Sequence, residues 1–246
     1  MCGILVSNEN LNLAQAEARL QKIGFRGPNR LNINKVDKII LGHLRLSIID
    51  LDPRSDQPMI YDDFHIVYNG EIYNFKDLKN TLLNLGYNFK TESDTETILV
   101  GYKHWGKNVV DHLDGMFAFI ILDRKKNILF GARDRLGVKP LYYSFENGIF
   151  EACSQLRPIS NGKKISQIGL SIYYDLGYIP APFSVFENVH KLKPGNCLEL
   201  DLSSKKLKTW SFWDIENLSH QSYKSTNKDE VLSILKDSVK KRLVSD

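Results

Sequence analysis

Cysteine is scarce in this 246-residue sequence, occurring only as Cys2, Cys153 and Cys197. An odd number, widely spaced in a long chain, excludes a disulfide framework and fits a reducing compartment, so a cytoplasmic location is expected. No Cys-x-x-Cys pair occurs. The histidines (His43, His65, His104, His112, His190 and His220) lack metal-ligand spacing, so no metal site is expected. Long apolar runs are missing too. The longest, Met116 to Leu122, is far short of the ~20 residues a membrane span requires. The N-terminus has no basic start followed by an apolar stretch, so no secretory signal is visible and no membrane partner is expected. Charge of one sign is also absent. Thirty-three basic against 29 acidic residues leave +4, too mild and dispersed to argue for nucleic acid.

What is present is an ordinary globular composition, 42% hydrophobic and 25% charged, which rules out wholesale disorder. Residues 2–7 read as a buried strand that begins almost at the first residue, and a chain start that is apolar from its second position belongs inside the fold. A helix is predicted over about 12–23, followed by a turn at Gly27-Pro28. Strands are expected at Ile39–Leu41 and His65–Tyr68. Asn74 opens a helix that Gly86 closes, and Ser93-Asp94-Thr95-Glu96 has capping-box spacing ahead of another. Strand candidates follow at 116–122, 127–132, 140–145 and 149–154. This order suggests α+β layering rather than a parallel βαβ series. Strands at 197–202 and 206–213 form an expected hairpin, residues 214–228 read as a polar loop, and 229–244 as an amphipathic helix with no obvious partner.

Cys2 follows Met1 and is small enough for the methionine to be trimmed in the cell. One residue would then carry both a thiol and a free α-amine. That amine, with a reference pKa of about 7.7–8.0, is an appreciable base near neutrality. An N-terminal amine serving its own nucleophile is a recognised activation scheme. Taken alone, Cys2 reads equally as a small hydrophobe opening a strand.

Seven segments stand together in order: Met-Cys-Gly-Ile at the start, Arg26-Gly27-Pro28, Arg45 to Asp50, Asn69 to Asn74, Ser93 to Glu96, Gly115 to Phe119, and Arg133 to Tyr143. In this the chain closely resembles the class II glutamine amidotransferase domains, which are N-terminal-nucleophile hydrolases. It is most similar to those of asparagine synthetases and of relatives that act on sugar and polysaccharide precursors. The resemblance implies a four-layer αββα sandwich of two antiparallel sheets between helices. It implies that Cys2 attacks the side-chain amide of glutamine and releases ammonia through a glutamyl thioester. Asn69 and the backbone N–H of Gly70 would hold the oxyanion. Arg45 would take the substrate carboxylate, and Asp94 with Glu71 its ammonium. The backbone around Ile48 and Ile49 would line the site, and Arg26 would sit in the loop over the nucleophile. Phe25, Asn29 and Gln155 depart from the usual pattern. Outside the resemblance, Asn69-Gly70 reads as a turn, Arg45 as a surface residue and Asp94 as a helix cap shared with Ser93. Cys153 and Cys197 read as structural.

The resemblance also implies partners. Residues 1–212 would form the glutaminase domain, and 213–246 a linker and the first helix of an ATP-dependent synthetase domain of the same parent chain. No cofactor is expected in this chain, and ATP and magnesium only in that further domain, because no Ser-Gly-Gly-x-Asp-Ser sequence or Walker loop occurs here. A homodimer is a possible assembly. The ammonia acceptor stays open between aspartate and a sugar acid, and a non-catalytic scaffold that keeps the fold is the remaining alternative.

Overall fold

A computed structural model describes residues 1–216 and 227–243. In chain order the strands are β1 (Gly3–Ser7), β2 (Arg30–Val36), β3 (Ile39–Arg45), β4 (Met59–Tyr61), β5 (Phe64–Ile72), β6 (Gly115–Asp123), β7 (Ile128–Arg133), β8 (Tyr142–Glu146), β9 (Ile149–Cys153), β10 (Val189–Lys191), β11 (Asn196–Asp201) and β12 (Lys206–Ser211). The helices are α1 (Leu13–Gln21), α2 (Phe75–Asn84), α3 (Asp94–Trp105), α4 (Val109–His112), α5 (Gln167–Leu176) and α6 (Lys228–Lys241). One six-stranded sheet runs β10-β8-β9-β1-β3-β2 and the other β12-β11-β7-β6-β5-β4, with antiparallel pairing throughout.

The layering follows from strand periodicity. Successive side chains of a strand point to opposite faces. In β6, Ala118, Ile120 and Leu122 join the cluster between the two sheets, whereas Phe117, Phe119 and Ile121 join the one that also holds Ile98, Leu99 and Tyr102 of α3. In β1, Ile4 and Val6 face the inter-sheet core, and Leu5 packs outward with Leu20 of α1. Both strands are apolar at successive positions because each face is covered. Stacking α1 on the first sheet, that sheet on the second, and the second on α2 and α3 gives the expected αββα sandwich.

The N-terminal strand is tied down, as its composition predicted. β1 lies between β9 and β3, and beyond the ladder Ile4 and Ser154 exchange two hydrogen bonds, Ile4 N–H to Ser154 Oγ at 3.1 Å and Ser154 N–H to the Ile4 carbonyl at 3.2 Å. The residue before β1 is therefore held in place. Ser93 does cap α3, accepting from Thr95 N–H at 3.1 Å, but no capping box closes there. Glu96 instead reaches Thr91 N–H (2.7 Å) and Thr91 Oγ1–H (2.6 Å), bracing the loop before the helix.

The pattern reading missed β2, α5 and the short β4, β10 and α4. β2 is an edge strand whose Leu31 and Ile33 are only half-buried against the cluster of Leu5 and Leu20, and α5 buries only Gly169, so its apolar residues show no one-sided period. Most of the loop expected at 214–228, and the end of the last helix at Val244, lie outside the described residues. α6 buries no residue; Val231, Leu235 and Val239 are exposed. Its contacts with the body include a 3.1 Å ion pair from Lys241 to Asp114 and Arg242 over the Tyr73 ring at 4.8 Å.

Candidate active site

Cys2 stands one residue ahead of β1, at the end of the first sheet. Because β1 pairs with β3 (Gly3 opposite Leu44), the chain leaving β3 passes over the sulfur. Leu46 N–H donates to Cys2 Sγ at 3.4 Å, and the thiol donates to the Leu46 carbonyl at 3.6 Å. Burial raises the thiol pKa, opposed chiefly by the Leu46 N–H. Behind it, Arg26 donates Nε–H to the Cys2 carbonyl at 2.8 Å. Met1 is more than half exposed and lines the same cleft as Cys2.

Asn69 and Gly70 come from the other sheet. They are not a turn; both lie within β5, opposite Ala118 and Phe117 of β6. Asn69 is buried, yet its Nδ2 has no hydrogen-bond partner among the described residues. A buried donor left unpaired costs roughly 1–3 kcal/mol, so its persistence marks a place where something else accepts. Gly70 is required by packing, since a Cβ there would sit 2.3 Å from the Met116 carbonyl oxygen. The close approach of β6 permits no side chain at this point.

Arg45 ends β3 and is buried. Its Nη1 donates to Asp56 and to the Asp52 carbonyl (3.1 Å), and its Nη2 to the Asp50 carbonyl. That leaves Nε–H and one Nη2–H, the side-on fork of the guanidinium, without a protein acceptor among the described residues. Such a fork matches a carboxylate bidentately. Asp94, the first residue of α3, accepts from Tyr68 O–H (2.8 Å) and Ile72 N–H (3.1 Å). No cation lies within ion-pair reach of it among the described residues, and burial raises its pKa. The half-buried Glu71 is raised as well, by burial and then by Asp94.

These groups line one cleft, which holds Cys2, Arg45, Ile48, Ile49, Asn69, Gly70, Glu71 and Asp94 together. Arg26 is absent from the lining; it secures the Cys2 backbone from behind and does not face the cleft. Asn29, one of the departures, accepts from Ser47 N–H at 3.0 Å and so steadies the loop that carries Ile48 and Ile49. Phe25 is 71% exposed and touches none of this. Cys153 and Cys197 are fully buried, with the Cys153 thiol pushed up to about 12, so neither competes as a nucleophile. Among the described residues, no group of three or more His, Cys, Asp or Glu side chains could hold a metal ion.

Residue-by-residue reading missed several members. The Leu46 N–H is a backbone group and leaves no trace in sequence. Tyr68 and Gln57 connect β5 to α3: Tyr68 N–H donates to Gln57 Oε1 at 2.6 Å, and Gln57 Nε2 to Thr95 Oγ1 at 3.2 Å. Lys139 also lines the cleft, and only its place in the last ordered segment could have flagged it.

Residues 1–213 match the family model described as a glutamine amidotransferase domain. The chain belongs to that family. This amidotransferase domain is 36% identical over 230 residues to a glutamine-hydrolysing asparagine synthetase (number 3) of Bacillus subtilis, covering 90% of this chain and 37% of the relative. It is 36% identical over 252 residues to a putative glutamine-hydrolysing asparagine synthetase of Methanocaldococcus jannaschii, covering 91% and 48%. The domain thus spans less than half the length of the curated relatives it matches. Among solved structures, the glutamine phosphoribosylpyrophosphate amidotransferase of B. subtilis, complexed with ADP and GMP, superposes with a TM-score of 0.64 at 19% identity, over 86% of this chain and 49% of that one. At that identity the likeness speaks for the layered sandwich fold alone.

Proposed function

We propose that this domain is the glutaminase half of a glutamine-dependent asparagine synthetase. Cys2, freed of Met1, would be its nucleophile and a free L-glutamine its substrate. The observation that carries the reading is the buried, unpartnered Asn69 Nδ2 in the same cleft as the Cys2 sulfur. The thiol proton passes to the α-amine as Sγ bonds to the amide carbon. The carbonyl oxygen gains the charge and is held by Asn69 Nδ2–H and Gly70 N–H, donors that need no reorganisation. Collapse of this intermediate breaks the C–N bond, the ammonium proton goes to the leaving nitrogen, and ammonia departs. Water then attacks the thioester, giving glutamate and restoring the thiol. Burial keeps the resting thiol neutral, so attack is coupled to proton transfer.

Substrate choice follows from the two charged ends. The open fork of Arg45 suits the α-carboxylate, and the cation-free Asp94 suits the α-ammonium. A carboxylate takes an ammonium only when ionised, and the Asp94 pKa is raised. Binding is therefore full above that pKa and fades as pH falls through it, at a higher pH than for an ordinary aspartate. We expect KM for glutamine to climb toward acid in the wild type. Asp94→Asn should give a high KM without that climb, roughly 30-fold or more above wild type, since removing one member of a buried charge pair costs ~2–5 kcal/mol. Steady-state kinetics across pH reads both.

The ammonia would be used by the segment that relatives carry beyond this one, amidating aspartate at the expense of ATP. ATP and magnesium would bind there, and the exposed apolar side of α6 would pack against it. Incubation with L-glutamine should release glutamate and ammonia one to one, and in a full-length parent should yield asparagine from aspartate and ATP. Release of neither product would contradict the glutaminase assignment; ammonia without asparagine would contradict the acceptor.

A further inference from the structure

The connection between β7 and β8 uses more charged groups than a turn needs. Asp134 accepts three backbone N–H groups, from Phe117 (3.2 Å), Val138 (2.9 Å) and Lys139 (2.9 Å). Arg133 donates to the carbonyls of Lys139 (2.7 Å), Gly137 (2.6 Å) and Leu192. Gly137 takes φ 66°, where a side chain is strained, and a Cβ there would lie 3.0 Å from the Arg133 guanidinium. Two buried charged side chains therefore fix one short loop, and the residue they deliver is Lys139. It is only 6% exposed and lines the cleft with Cys2, Asn69, Glu71 and Met116. Among the described residues its ammonium has neither a hydrogen bond nor an ion pair. Its stem is buried while the ammonium opens into the cleft, where it can meet a negative charge that develops there.

We propose that Lys139 is a positioning residue that holds the Cys2 side chain as a thiolate once its proton has left. Two other cations also favour a negative sulfur, the chain's terminal ammonium and Arg45, but each has another task, the amine as proton acceptor and Arg45 in its pair with Asp56. Arg26, on the turn after α1, donates to the Cys2 carbonyl. Asp94 of α3 and Glu71 of β5 oppose a negative sulfur, Tyr68 of β5 is neutral, and His43 of β3 is fully buried and held neutral by that burial. Burial lowers the Lys139 pKa while Cys2 and then Glu71 raise it, as expected of groups that feel one another's charge.

The inference rests on Cys2 being the reactive thiol, and its test keeps the two apart. The rate of iodoacetamide alkylation at Cys2 is followed against pH by peptide mapping of the whole chain, for wild type, K139M, K139Q and K139R. An opposite charge at close range shifts a pKa by about 1–3 units. Removing the cation should therefore move the alkylation midpoint upward and slow the reaction near neutrality about 10-fold or more in K139M and K139Q. K139R should stay near the wild-type midpoint, and the acidic limb of kcat, unlike the Asp94-dependent rise of KM, should move with alkylation. Should K139M fail to fold, K139Q carries the test. An unmoved midpoint in the folded neutral variant, with wild-type glutamine hydrolysis normal, overturns the lysine assignment alone. A wild-type Cys2 that reacts no faster than Cys153 overturns the hydrolase reading with it.

Discussion

Cys2→Ala is expected to reduce glutamate release to the blank, a loss of roughly 10⁴-fold or more, because the covalent route disappears and only binding and the oxyanion donors remain. Stability should hardly change. The sulfur makes only weak contacts, both to the Leu46 backbone, and the residue sits outside the strand ladder. Cys2→Ser separates chemistry from shape. Its hydroxyl can still accept from Leu46 N–H, but it is a far weaker nucleophile than a thiolate, so activity should stay near that of the alanine variant. Glutamine should still bind both variants, since Arg45 and Asp94 are untouched. Calorimetric binding of L-glutamine to the inactive variants checks this. Full hydrolysis by Cys2→Ala would remove the nucleophile assignment at once.

The second large effect is at Asn69. Removing one oxyanion donor costs about 10²–10³-fold in kcat, or roughly 3–4 kcal/mol of transition-state stabilisation. Asn69→Ala should lose activity in that range with KM little changed, because the oxyanion exists only after attack. Nδ2 has no partner in the resting protein, so its removal takes no hydrogen bond from the fold, and thermal unfolding should move by only a few degrees. Asn69→Asp sharpens the test. It keeps the shape but sets an acceptor against a developing negative charge, so kcat should fall at least as far as in the alanine variant. A drop confined to KM would instead assign Asn69 to ground-state binding.

How much of this could be read from the sequence differs by element. The buried N-terminal strand was legible from apolar residues beginning at the second position, and β6 and β7 from continuous apolar runs, because strands covered on both faces leave that mark. The hairpin of β11 and β12 was legible from two strand patterns close together in sequence. β2 was not, since its apolar face is only Leu31 and Ile33, half-buried at a sheet edge, and neither was α5, whose apolar residues ring the helix. At the site, residue types pointed to chemistry only through their ordered resemblance. Asn69-Gly70 looks like a turn in isolation; the structure puts it in mid-strand, where β6 forbids a side chain at position 70. The capping-box spacing at Ser93 was half right, because Glu96 found better donors in the loop before the helix. Leu46 N–H, Asp56 on Arg45 and the cleft position of Lys139 depend on how the two sheets meet. Local sequence does not carry that information.

Met1 removal and the identity of the nucleophile can be read together. The purified chain is treated with the glutamine-mimicking electrophile diazo-oxo-norleucine, weighed intact, and mapped by peptide mass spectrometry. The arrangement of Cys2, Asn69, Arg45 and Asp94 predicts a chain lacking Met1 that takes up one adduct, located on Cys2 and suppressed by excess L-glutamine. An adduct on Cys153 or Cys197, or none on a chain already freed of Met1, would contradict it.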